Sequence, residues 1–250
     1  MNLRNWLVTL LCFTTLACTN LVSSEEPDAN LGPGKDDAGT DAGTVDAGQV
    51  DAGTFDAGTV DAGLGAYPSG PYGVSVNRVI ENFTFPGYLA VGAGVKVNTL
   101  PKLENLDLQA IRNAVDANGK RFRFLLLDIS AGWCGPCNQE AQELGLVGTK
   151  KTLIANWVSR GGIFMTVLAE GYDQSAHNAP VAADLETWAN QHQVQSSLVI
   201  DPTQRLLAQG INPSAFPTNL VIDLKTMTIV SAWYGLEPTY QKWEAALNGL

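Results

Sequence analysis

The sequence is short of cysteine and histidine, with four and two residues in 250. A zinc centre needs about four ligands, yet there is no second Cys-x-x-Cys, and only His177 and His192 could add imidazole. No metal is expected, and both histidines read as solvated surface side chains. Basic residues are few as well, 15 Lys and Arg against 25 Asp and Glu. The imbalance is local. Ten acidic residues and one lysine fall between positions 19 and 66, a net of −9, while fifteen acidic and thirteen basic residues from Tyr67 onward leave −2. The later part has no basic field for nucleic acid, so nucleic-acid partners are not expected. Long apolar runs are also scarce. The longest uncharged, largely apolar stretch, 6–17, is too short to span a bilayer as a permanent helix.

That stretch follows Arg4 and ends in Thr-Leu-Ala-Cys, a positive start, an apolar middle and a small residue before Cys18. The ending resembles a bacterial lipoprotein signal box, although Thr15 stands where such boxes usually carry Leu. The reading is a signal peptide at 1–17 and a lipid-modified Cys18 as first mature residue. Cys12 would leave with the leader and Cys18 would be acylated. Only Cys134 and Cys137 would then remain as redox-capable thiols, which excludes a structural disulfide elsewhere. Residues 18–66 form an acidic linker in which Asp-Ala-Gly recurs at Asp37, Asp41, Asp46, Asp51, Asp56 and Asp61. Its small and acidic residues bury too little to offset the entropy of ordering, so a disordered spacer is expected. It lacks the further glycines and the regular apolar position of calcium-binding repeats.

From Tyr67 to the end the pattern is that of an α/β domain, 67–250. A short strand is predicted over 79–85, stopped by Pro86-Gly87, with 91–97 as its partner. A helix over 107–117 carries Leu108, Ile111 and Val115, with Gly119 near its C-terminal cap. The run 122–129 is nearly all apolar and suits a strand covered on both faces, interrupted by Asp128. A helix is predicted over 138–160, a buried strand over 163–168, an amphipathic helix over 181–193 and a strand over 197–200. A hairpin over 218–224 and 228–234 and a last helix over 238–247 complete the chain. The sum is a mixed, mostly parallel sheet with helices on both faces.

One motif carries chemistry. Trp133-Cys134-Gly135-Pro136-Cys137 joins the apolar run to a helical stretch. A cysteine at a helix start meets the positive end of the macrodipole, which favours its thiolate. The second cysteine, one turn on, can attack a mixed disulfide formed at the first. Cys134 is therefore read as a partly exposed nucleophile and Cys137 as the less exposed resolving thiol. Asp128 inside an apolar strand is costly unless it has a partner or a task.

These residues resemble the thioredoxin superfamily, and within it the exported TlpA-like oxidoreductases and redoxins. The five residues from Trp133 to Cys137 match the thioredoxin motif, Asp128 lies six before the first cysteine as in thioredoxin, and Ala215-Phe216-Pro217-Thr218 matches the cis-proline loop. The resemblance implies a thioredoxin-like fold, catalytic Cys134 and Cys137 as a redox-active disulfide, Asp128 as a proton acceptor for Cys137, and Pro217 as the cis-proline. It further implies substrate contact through Trp133 and through Phe216, whose backbone would be free to pair with an extended substrate. Gly-Pro between the cysteines matches the strongly reducing type, near about −270 mV. Three positions depart from the relatives. Gln142 replaces a helix-kinking proline, Asn138 a basic residue, and Phe216 a smaller aliphatic. Glu140 matches a glutamate common in TlpA-like helices and is read as an exposed carboxylate. The implied activity is reduction of disulfides in exported proteins by a monomeric lipoprotein of the bacterial cell envelope. It would be fed by a membrane thiol donor, would use no cofactor and would touch the membrane only through Cys18. The alternatives are a peroxidase-like redoxin, whose Pro-x-x-x-Thr-x-x-Cys pattern is missing, and a non-catalytic surface module binding thiols or copper.

Overall fold

A computed structural model of the chain describes residues 64–249. The expected leader, Cys18 and the Asp-Ala-Gly segment as far as residue 63 lie outside those residues. Among them, one sheet holds β1 (Thr84–Tyr88), β2 (Lys102–Asp107), β3 (Phe124–Ala131), β4 (Gly162–Glu170), β5 (Ser197–Ile200), β6 (Thr218–Asp223) and β7 (Thr228–Tyr234). The spatial order is β2-β1-β5-β4-β3-β6-β7. The helices are α1 (Leu108–Asn113), α2 (Gly135–Leu144), α3 (Thr152–Ser159), α4 (Ala182–His192), α5 (Arg205–Ala208) and α6 (Gln241–Asn248).

The α/β class holds, but the expectation of a mostly parallel sheet is corrected. Only β3 with β4 and β4 with β5 are parallel, because helical crossovers return the chain to the same end of the sheet. The pairs β1–β2, β1–β5, β3–β6 and β6–β7 are antiparallel. Two N-terminal predictions also fail. The first strand runs through Pro86-Gly87, which sits in a register irregularity where the missing side chain lets β1 close on β5. Its partner is the strand at 102–107, not 91–97. That strand lies at the sheet edge, largely exposed and rich in charge, so no apolar alternation marks it.

The helix predicted over 107–117 is shorter. Asp107 caps it by accepting from the Ala110 N–H at 2.6 Å, Ala114 ends it, and Gly119 instead serves the following turn at φ +75°. The helix expected over 138–160 is two helices. At Gly145 a side-chain carbon would lie 1.9 Å from the His192 carbonyl, so the chain turns there while α2 and α4 stay in close approach.

Alternation along β3 builds two cores. Leu125, Leu127 and Ile129 join a cluster containing Leu108 and Ile111 of α1 and Leu185, Trp188 and Ala189 of α4. Phe124 and Leu126 face the other way, into Leu144 of α2, Ile154 and Trp157 of α3 and Trp243 of α6. Helices thus cover both faces, and β3 is buried along its whole length. Truncating Leu126 removes a side chain that is fully buried at the centre of the sheet. Leu126→Ala is expected to lower unfolding free energy by about 2–5 kcal/mol in a denaturant titration, through lost transfer energy and the cavity left behind.

At the edge of this unit the Arg112 guanidinium donates to the carbonyls of Leu64, Gly65 and Ala66 and to those of Leu224 and Lys225. One buried cation therefore fastens the entering chain to the end of β6.

Candidate functional site

The cysteine motif begins where β3 ends. Cys134 is the N-cap of α2, and its sulfur accepts from the Cys137 N–H at 3.2 Å, as an N-cap side chain should. The two sulfurs are joined as a disulfide. Both residues are buried, Cys134 at 2% exposure and Cys137 at 1%, so the partial exposure expected of Cys134 is corrected. Packing of the loop around it covers the residue, yet Cys134 borders a cavity of about 480 Å³ with Trp133, Pro136, Gln174, His177, Pro213, Ser214 and Phe216. Cys137 is not among its walls. The geometry separates an approachable sulfur from an inner one.

Phe216 is buried, its ring centroid 6.3 Å from that of Trp133, and the Phe216–Pro217 bond is cis. The Phe216 N–H already meets the Pro213 carbonyl at 3.4 Å. Its backbone is therefore not wholly free, and strand pairing at this residue would rest on the carbonyl.

Asp128 is buried on the β3 face shared with Phe124 and Leu126. Ser130 Oγ donates to its carboxylate at 2.9 and 3.2 Å, and Thr166 Oγ1 donates at 3.0 Å. Burial pushes its pKa from 3.8 up to about 7, with the two hydroxyls pulling the other way. Glu140, read from sequence as exposed, is instead 1% exposed. Neither of its oxygens makes a hydrogen bond. Burial first and the Asp128 charge second hold its carboxyl well above the usual range, while the nearby Asn219 amide opposes them without closing a hydrogen bond of ordinary geometry. Two interacting carboxyls, one on β3 and one on α2, are thus buried where sequence reading had placed one.

Strand, cysteine-bearing helix, parallel strand, helix and parallel strand, followed by a cis-proline and an antiparallel hairpin, settle the architecture. The fold is thioredoxin-like. No protein-family model and no curated protein matches the sequence. Among solved structures, similarity is found to a protein provisionally described as thiol:disulfide interchange protein DsbE from Chlorobium tepidum. Identity is 19%, TM-score 0.45, and the match covers 73% of this chain and 99% of that one. The thioredoxin domain of a thiol-disulfide oxidoreductase from Bacteroides vulgatus matches at 14% identity and TM-score 0.46, over 70% of this chain and 99% of that one. Peroxidoxin BcpB from Mycobacterium tuberculosis matches at 13% and 0.47, over 71% and 98%.

Two polar networks of this thioredoxin-like domain escaped the sequence reading. In the first, His192 is buried rather than solvated, and burial depresses its pKa to about 4, so it is neutral. The Asn138 amide donates to the carbonyls of Gly132 (3.0 Å) and Cys134 (2.8 Å), leaving its oxygen to accept from His192 Nε2 at 3.0 Å. This clamp ties α4 to the cysteine loop and gives Asn138 a structural reason. The signal was present: His192 extends the inward stripe Leu185, Trp188, Ala189 by one helical step.

In the second, Glu170 ends β4 with its side chain 2% exposed. Its carboxylate accepts from Trp133 Nε1 at 2.7 Å and is paired with His177 Nδ1 at 3.1 and 3.3 Å. Trp133, read as a substrate contact, is therefore anchored from behind. Like Asp128, Glu170 is a carboxylate in an apolar strand, a signal that sequence offered for both. His177 lies in a loop with no periodicity to betray it.

Proposed function

We propose that the chain is a thiol-disulfide oxidoreductase that reduces disulfides of exported proteins through Cys134 and Cys137. The observation that carries this is the paired sulfurs at the start of α2, one bordering an open cavity and the other not. Attack by the Cys134 thiolate on a substrate disulfide forms a mixed disulfide and expels one substrate thiolate. Attack by Cys137 on the Cys134 sulfur then releases the second substrate thiol and restores the Cys134–Cys137 disulfide. In this scheme Asp128 accepts the Cys137 proton, with a pKa raised toward the working range of a base. Phe216, joined to Pro217 by the cis bond, shapes the cavity wall, and Trp133 frames it.

The compartment belongs to the same proposal: a leader at 1–17, a lipid on Cys18, a spacer at 18–66 and a catalytic domain at 67–250 on the outer side of a bacterial membrane. Electrons would come from a membrane thiol carrier. Within the described residues no helix is long and apolar enough to cross a membrane. The cavity walls hold neither the Thr nor the Arg that a peroxidatic cysteine uses, so they lend nothing to the peroxidase reading.

The test is to reduce the protein, remove the reductant and add insulin. One protein disulfide should form for each insulin disulfide opened, and equilibration with glutathione should give a potential near about −270 mV. A potential near about −120 mV would make the protein an oxidant instead, and no exchange at all would end the enzyme reading.

A further inference from the structure

We propose that His177 is the catalytic proton donor to the thiolate expelled when a substrate disulfide is opened at Cys134. The inference rests on the exchange reading above and adds a residue to it. Among the described residues lining the Cys134 cavity, Cys134 and His177 are the only titratable ones. A thiolate leaving at this mouth therefore meets one protein group able to give it a proton. Imidazole is the side chain that exchanges protons near neutrality.

The ring is held for that task. Glu170 is buried and engages Nδ1, and the same carboxylate is fixed in turn by the Trp133 indole N–H. A carboxylate on Nδ1 sets the tautomer and the orientation of the ring and keeps Nε2 for exchange. The His177 side chain is 61% exposed, so a visiting substrate can reach it, and its ring stands edge-on 6.4 Å from Trp133. The backbone is fixed too. His177 has φ +44°, its N–H meets the Gln174 carbonyl at 3.3 Å, and its carbonyl accepts from Gln204 Nε2 at 2.9 Å. Asp173, the nearest other carboxylate on this loop, is turned to Ser175 and the Ala176 N–H, so Glu170 is the charged partner of the ring.

The step balances. The Cys134 thiolate attacks one sulfur of R–S–S–R′, the Cys134–SR bond forms and the S–S bond breaks. The electron pair departs on R′S⁻, which takes the proton from the His177 imidazolium to leave as R′SH. The ring, now neutral, regains a proton from water. Resolution by Cys137 oxidises the dithiol and completes the two-electron reduction of the substrate.

Proton donation matters in proportion to the basicity of the leaving thiolate. The test compares a basic alkyl leaving group with a weakly basic aryl one, using reduced full-length wild type and His177→Gln. The probes are bis(2-hydroxyethyl) disulfide and 5,5′-dithiobis(2-nitrobenzoate), read in single turnover. Loss of the donor should slow the alkyl disulfide by about tenfold or more while changing the aryl disulfide by less than about twofold. His177 is largely exposed, so the variant should fold, and His177→Ala should repeat the result. Equal losses on both probes would make His177 a positioning residue, and no loss on either would remove it; both overturn the proposal. Wild type that reacts with neither probe would overturn the exchange reading itself.

Discussion

Cys134→Ser is expected to reduce insulin turnover to background, a loss of at least about a thousandfold, because a serine hydroxyl cannot open a disulfide at neutral pH where a thiolate can. The substitution isolates chemistry from folding. Serine is among the best N-cap residues, so the bond now made from the Cys137 N–H to Cys134 Sγ at 3.2 Å can pass to the new oxygen and α2 keeps its start. Cys137→Ser should behave differently. The outer thiol still attacks, but the resolving step is gone, so a covalent mixed disulfide with insulin accumulates and can be weighed by mass spectrometry. The cavity predicts this order, since it borders Cys134 and not Cys137. Adducts trapped on Cys137 in the Cys134→Ser protein, with none on Cys134 in the Cys137→Ser protein, would reverse the roles.

What could be read in the sequence followed burial. The run that became β3 is apolar at nearly every position because both its faces are covered, and Asp128 stood out only against that background. Strands β5 and β6 were legible for the same reason. Strand β2 was not, because Lys-Leu-Glu-Asn-Leu-Asp at a sheet edge needs no apolar face. Glu140 illustrates the opposite failure. It sits in a helix whose neighbours Asn138, Gln139 and Gln142 are all polar, so nothing local announces that this one carboxylate turns inward beside Asp128. The parallel count was overstated because β1 and β6 join the central strands antiparallel, a matter of long-range pairing rather than of local pattern.

Asp128→Asn is expected to raise stability and lower activity together. Asp128 binds its proton more tightly in the folded chain than in the unfolded one, since its pKa rises from 3.8 to about 7. Its contribution is fully present below about pH 4 and is lost as pH climbs through about 7, because the folded state then carries a buried charge. The difference amounts to something on the order of 4 kcal/mol above pH 7. Glu140 is displaced in the same direction, so it steepens the same decline. An amide at position 128 keeps the volume and can still bond Ser130 and Thr166, but it never ionises. Denaturant titrations should therefore show the variant more stable than wild type at pH 8, nearly equal to it at pH 4, and flatter between. Glu140→Gln should flatten the curve further. The exchange rate at pH 7 should meanwhile fall by about tenfold, because the acceptor for the Cys137 proton has gone. The conjunction is the point of the experiment: damage to the fold would lower both quantities. An unchanged rate and pH profile would leave Asp128 a buried acid with no part in exchange.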